Sequence, residues 1–198
     1  MNGNLTQGPV MKTMLRFALP MIAGNLLQQC YNIADTLIVG RFLGANALAA
    51  VGSAFTLMTF LTSILLGLCM GSGAVFSIRF GQQDEEALKE GMCASFFLIA
   101  VLTLVLNLAV FAGLDWILVF LRVPEDVMAP MREYVFVIFF GIAATFLYNY
   151  FASLLRAVGN SLAPLLFLAV SAVLNIVLDL WFVLGLKRGV AGAAEATV

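Results

Sequence analysis

Long stretches without a charged residue constrain this chain more than any other feature. Charged residues occur in short segments, and between them lie apolar runs of about 20 residues or more. A helix of that length crosses the hydrocarbon core of a bilayer, where each backbone polar group must be satisfied internally. Only 11% of the residues are charged, against about a quarter in soluble domains. The sequence therefore predicts an all-α polytopic membrane protein.

Hydropathy predicts five full transmembrane helices and a truncated sixth. We expect a cytoplasmic N-terminal segment over 1–13, and a retained first span because no small-residue cleavage pattern follows Lys12 and Arg16. The expected spans are about 14–39, 53–78, 92–113, 134–155 and 162–186, with the start of the sixth at 189–198. A sixth span of this length covers under half of a crossing, so we expect an incomplete bundle.

The connections between the spans are the charged segment 79–91 and the longer segment 114–133. Trp116, Ile117 and Phe120 give the second segment an amphipathic strip suited to the membrane interface. Lys and Arg divide five against five between the two sides, so they give no orientation.

Several function classes are excluded by composition. The chain has no histidine, which removes His-based acid–base catalysis and His metal sites. Its net charge of -1 leaves no basic surface for nucleic acid. The three cysteines are not at metal or redox spacing. We expect no enzyme, no cofactor and no metal beyond Na⁺.

A polar stripe follows one face of the first span. Asn25, Gln28, Asn32 and Asp35 are three, four and three residues apart, which covers about 15 Å of one helix face. Such a stripe does not face lipid, and Asp35 in mid-helix costs about 2.5–3.5 kcal/mol to insert. The stripe favours the lining of a water-filled cavity; hydrogen bonding between helices is the alternative.

The fifth span carries the second intramembrane acid. Ser171, Asn175 and Asp179 lie at i, i+4 and i+8, so one amide oxygen and one carboxylate address the same small volume. Oxygen ligands suit a hard cation such as Na⁺, and a buried carboxyl group also suits reversible protonation. The alternative is a neutral Asp179 that joins two helices. An intramembrane aspartyl protease is disfavoured by the contexts Ile-Ala-Asp35 and Val-Leu-Asp179.

Tyr148 lies near the end of the fourth span. An aromatic side chain there could line a pocket for a flat organic cation, although interface anchoring is the commoner role.

Several segments, in order along the chain, are similar to the multidrug and toxic compound extrusion (MATE) transporters. The first-helix run from Leu19-Pro20 through Asn32-Ile-Ala-Asp35-Thr-Leu-Ile-Val-Gly40 resembles that family most clearly. The other segments are Leu48-Ala-Ala-Val-Gly52, Leu155-Arg-Ala-Val-Gly-Asn160, Asn175-Ile-Val-Leu-Asp179 and Gly189-Val-Ala-Gly-Ala-Ala194 with Ala196-Thr197. The resemblance covers nearly the whole chain from about Met14.

The resemblance implies a two-lobe fold of twelve helices in the plasma or inner membrane, with both termini cytoplasmic. It also implies antiport, in which organic cations or drugs leave against entry of H⁺ or Na⁺. Similar transporters bind the coupling cation in the N-lobe with an Asp of the first helix, an Asn and an Asp of the fifth, and a Thr of the sixth. Asp35, Asn175, Asp179 and Thr197 match those positions, and Thr197 is indicated by the resemblance alone.

The family is roughly twice as long as this chain, so the resemblance implies an N-terminal lobe whose C-terminal lobe is missing from these 198 residues. Two alternatives remain. A lipid-linked-sugar flippase of related architecture would need cationic groups inside the bundle, and no Lys or Arg lies inside a predicted span. The other is a truncated membrane fragment that does not transport.

Overall fold

The computed structural model describes residues 9–198, and within them every regular element is helical. The helices are α1 (Val10–Phe42), α2 (Ala45–Gly81), α3 (Glu85–Phe120), α4 (Glu125–Phe140), α5 (Ile142–Ala157), α6 (Leu162–Asp179), a π-helical segment (Leu180–Gly185) and α7 (Gly189–Thr197). The expected N-terminal segment 1–13 lies mostly outside the described residues, and α1 has already begun at Val10.

Three helical stretches of the described chain are long and apolar enough to cross a membrane: α2, α3 and Leu162–Gly185. The pair α4 and α5 passes the same test together, with a bend of 47° at the break between them. The protein is therefore a helical, multi-pass membrane protein. The polar stripe keeps α1 out of this set although the helix is 33 residues long, and the first span stays a prediction.

One connector is shorter than the sequence predicts. Residues 114–120 are not part of a loop but the last two turns of α3. Asp115 is the only charge between Met92 and Arg122, and Arg132 of α4 pairs with it at 2.9 Å, so no charge repulsion or turn residue ends the helix there. Trp116 and Phe120 stack on each other with ring centroids 5.6 Å apart and extend the exposed face of α3.

Close helix packing brings the two intramembrane acids into one bundle. α1 packs along α6, and the short α7 packs against α4 and α6. Gly24 of α1 lies in the first of these contacts, next to the side chains of Leu165 and Leu168. Val135 of α4 is completely buried, and α4 packs against α2 and α7.

Candidate functional site

The carboxyl groups of Asp35 and Asp179 face each other across the contact between α1 and α6 and lie close enough to interact. Asp179 is the last residue of α6 and has no exposed surface. Three of the four carboxyl oxygens, Asp35 Oδ1 and both of Asp179, are buried without a hydrogen-bond partner among the described residues. The helix packing thus joins two acids that are 144 positions apart in the chain.

Asn175 and Thr197 lie beside this pair from two directions. Asn175 is buried one turn before Asp179, and its Nδ2 donates to the carbonyl of Ala196 at 3.2 Å. Its Oδ1 is buried and without a partner in the described chain. Thr197 follows Ala196 in α7 and donates its hydroxyl hydrogen to Ala193 at 3.0 Å, which leaves the lone pairs of the Thr197 hydroxyl available.

Two tyrosines complete the cluster. Tyr134 of α4 is 4% exposed, and its hydroxyl lies against the Thr197 side chain and near both acids. Tyr31 of α1 lies near Asp35 and interacts with Gln28. Neither tyrosine is predicted as a site residue from the sequence. Tyr134 lies at the predicted start of a span, where a tyrosine usually marks the membrane interface, so its position in the chain does not indicate a place in the site.

A change of helix type follows Asp179 directly. Residues Leu180–Gly185 form a π-helical segment, in which the N–H of Leu186 donates to the carbonyl of Trp181, five residues back, at 2.9 Å. π-Turns are rare and frequent at functional sites. The segment places the widened part of the helix next to the buried acid.

An open cavity of about 420 Å³ adjoins the acids between α1, α2 and α4. Its polar lining comes from α1 and α4 and consists of Gln29, Asn32, Asp35, Thr36 and Tyr134. The rest of the lining comes from α1 and α2 and consists of Ile33, Leu37, Leu48, Val51, Gly52 and Phe55. The cavity lining contains acidic, amide and aromatic groups and no Lys or Arg. That mixture suits an organic cation with a flat apolar body.

Five residues were expected to line a cavity. Asn32 lines this one, whereas Asn25, Gln28, Tyr148 and Ser171 do not. Asn25 and Ser171 are exposed, and Gln28 contacts Tyr31. Tyr148 donates its hydroxyl hydrogen to the carbonyl of Pro164 at 3.2 Å, which ties α5 to the start of α6.

Two facing carboxylates cannot both stay charged in a buried pocket without a cation between them. Like charges about 4 Å apart repel by about 4 kcal/mol even at an effective dielectric constant of 20. A shared proton or a small cation would remove this repulsion, and the Asn175 Oδ1 and the Thr197 hydroxyl are oxygen atoms of the type that binds hard cations. The described residues hold no group of three His, Cys, Asp or Glu side chains that could bind a metal ion.

Membrane-crossing helices, a pair of facing acids and a neighbouring open cavity define a polytopic membrane protein with a polar site inside its bundle. The comparisons with known proteins give its family. The model of the MatE family matches residues 20–181, and the chain belongs to that family, the MATE transporters.

One relative is "Probable multidrug resistance protein YpnP" of Bacillus subtilis (strain 168), 33% identical over 195 residues, which cover 98% of this chain and 44% of the relative. Among solved structures, a MATE crystal structure in complex with MaD5 has a TM-score of 0.91 at 28% identity and covers 99% of this chain and 44% of its own. An outward-facing conformation of a multidrug resistance MATE transporter has a TM-score of 0.87 at 29% identity, and the match covers 92% of this chain and 40% of that chain. The chain thus spans less than half the length of the relatives it matches.

Proposed function

We propose that this chain is the N-terminal lobe of a secondary antiporter that exports organic cations or drugs against entry of H⁺ or Na⁺. The single observation that supports this most strongly is the pair Asp35 and Asp179, in which three of the four carboxyl oxygens are buried without a donor in the described chain. The group that faces each acid is the other acid, so the pair carries a repulsion that a shared proton or a bound cation relieves.

The coupling cation binds between the two carboxylates, with Asn175 and Thr197 as further ligands. Organic substrates bind in the adjoining cavity, where Asp35 attracts the cationic group and Tyr134 and Phe55 contact the apolar body. Asp35 belongs to both sites. Cation binding therefore competes with substrate binding at one carboxylate, which is the requirement for exchange.

The first helix links the two events. Pro20 lies inside α1 and cannot donate to the carbonyl of Arg16 four residues earlier, so the helix bends more easily there. When the cation changes the charge at Asp35, the part of α1 beyond Pro20 shifts and reshapes the cavity. The full cycle requires a second lobe, because alternating access is the movement of two bodies about a shared site.

The alternative of a lipid-linked-sugar flippase is not favoured, since the cavity lining offers no Lys or Arg to a pyrophosphate group. A non-transporting fragment remains the other alternative. An open reading frame that continues for a second lobe would favour the transporter, and a stop codon after Val198 would favour the fragment.

The decisive test is removal of each carboxylate charge. Asp35→Asn and Asp179→Asn in the full-length protein should each abolish ethidium efflux from cells, while immunoblots of membranes show normal insertion. Asp115→Asn is the matched control, because Asp115 is exposed and its recorded partner in the described chain is Arg132, at 2.9 Å. Normal efflux from either of the first two variants would refute the proposal.

A further inference from the structure

The membrane span made of α4 and α5 is broken at Gly141. The two halves meet at 47°, and the backbone continues across the break by bonds from Gly141 N–H to Ile138 O at 2.9 Å and from Thr145 N–H to Gly141 O at 3.0 Å. A break in a transmembrane helix releases backbone groups that need partners from neighbouring helices. The break therefore requires support from outside the span.

Asn107 of α3 supplies that support. Its Nδ2 donates to the carbonyl of Phe139, two residues before Gly141, at 2.9 Å. Phe139 is 1% exposed, so solvent does not reach this carbonyl, whose other recorded donor is the N–H of Gly141. The Oδ1 of Asn107 is buried without a partner among the described residues, which shows that the side chain makes this donation without satisfying its own acceptor.

The break also packs against the end of α7. A Cβ atom on Gly141 would lie only 2.6 Å from the methyl groups of Val198, which follows Thr197. Thr197 in turn lies against the hydroxyl of Tyr134, two turns before the break on α4. Two residues of α4 therefore contact the end of α7: Tyr134 contacts Thr197, and Gly141 contacts Val198.

We propose that Asn107 is a positioning residue for the cation site: its amide holds the α4–α5 span in the bent shape that keeps Tyr134 and Thr197 together beside Asp35 and Asp179. This inference rests on the proposed function. If the span straightens, the carbonyl of Phe139 returns to its own helix and Asn107 loses its acceptor. The α4 helix, which carries Tyr134, then moves away from α7. The cation site binds its ion less tightly, although none of its ligands has changed.

The test separates cation affinity from transport capacity. Full-length Asn107→Leu and Gly141→Ala proteins are reconstituted in liposomes, and ethidium efflux is measured against the concentration of whichever cation, Na⁺ or H⁺, drives the wild type. Loss of one hydrogen bond should raise the half-saturating cation concentration by about threefold to tenfold, with a maximal rate close to that of the wild type. Gly141 has a φ of -82°, so Gly141→Ala acts through the contact with Val198 and not through backbone strain.

Thr103→Val is the matched control. Thr103 lies one turn before Asn107 on α3 and is buried, and its recorded hydrogen bond in the described chain goes to the carbonyl of Ile99 of its own helix at 2.7 Å. It should leave the half-saturating concentration unchanged. If Asn107→Leu does not insert, Asn107→Ala, which also removes the amide donor, decides: a raised half-saturating concentration supports the proposal and a wild-type value overturns it. Normal transport by Asp35→Asn and Asp179→Asn would instead refute the proposed function. If those two variants are inactive and Asn107→Leu has the half-saturating concentration of the wild type, only the positioning role is refuted.

Discussion

A single hydroxyl group distinguishes Tyr134 from an ordinary aromatic residue of the core. Its ring is almost fully buried, while its hydroxyl lies against Thr197 and near the two acids. The same residue lines the open cavity. Tyr134 is thus the side chain through which the proposed cation site and the proposed substrate cavity touch each other, besides Asp35 itself.

We therefore predict that Tyr134→Phe weakens cation coupling without disturbing the fold. The ring keeps its packing, and the loss of one hydroxyl interaction should raise the half-saturating cation concentration by about twofold to tenfold, measured by efflux in proteoliposomes. Tyr150→Phe is the control, because Tyr150 is as buried but donates to Met92 on α3 at 2.6 Å. Equal half-saturating concentrations for Tyr134→Phe and the wild type would contradict the assignment.

At the scale of the elements, α1 differs from the other long helices in its combination of a proline, a polar stripe and an exposed surface. Asn32 Nδ2 donates to Gln29 Oε1 at 3.1 Å and Thr36 donates to the carbonyl of Asn32 at 2.8 Å, so these polar side chains form hydrogen bonds within the helix. Pro20 lies four turns before Asp35. The helix is continuous from Val10 to Phe42, and Pro20 is the one proline inside it.

Replacing this proline should stiffen α1. Pro20→Ala restores one helical hydrogen bond and is expected to raise the free energy of unfolding by up to about 3 kcal/mol, seen as a higher thermal denaturation temperature in detergent. Drug efflux should fall, because cation binding no longer reshapes the cavity. Pro164→Ala, at the third residue of α6 where the N–H needs no helical acceptor, should change neither. Unimpaired efflux by Pro20→Ala would show that bending at this position is not required.

At the scale of the whole molecule, the described helices form one lobe with its own core. Val39, Ala54, Leu118 and Val135, from four different helices, have no exposed surface. The outer faces of α1 and α2 carry exposed apolar side chains such as Leu37 and Phe60. These faces suit lipid or a second lobe, which agrees with a chain that covers 44% of its relative YpnP.

Residues 1–198 alone should therefore insert into liposomes but not drive ethidium efflux under an imposed Na⁺ or pH gradient. The same chain completed with a second lobe should transport under one of the two gradients, which also identifies the coupling ion. Protein content in the vesicles is matched by immunoblot. Gradient-driven efflux by the single lobe would show that two bodies are not needed for the exchange.

The helical fold and the family were predictable from local properties of the sequence. Charge-free runs such as Met92–Leu114 determine a membrane helix because bilayer insertion depends on composition along one segment. The spacing of Asn175 and Asp179 predicts one helix face because a helix repeats every 3.6 residues. The end of α3 at Phe120 was not predictable, since the neutralising partner of Asp115 lies 17 residues further along the chain.

By itself, the sequence determined that the protein lies in a membrane and that it resembles MATE transporters. It also determined that Asp35 and Asp179 are the acids whose insertion into the membrane costs free energy. Only the tertiary structure decided that these two acids face each other, that Tyr134 joins them, and that Asn107 supports the break at Gly141. The physical reason is that hydropathy and helical period are properties of one segment. The contacts between α1, α3, α4, α6 and α7 depend instead on how separate helices pack together.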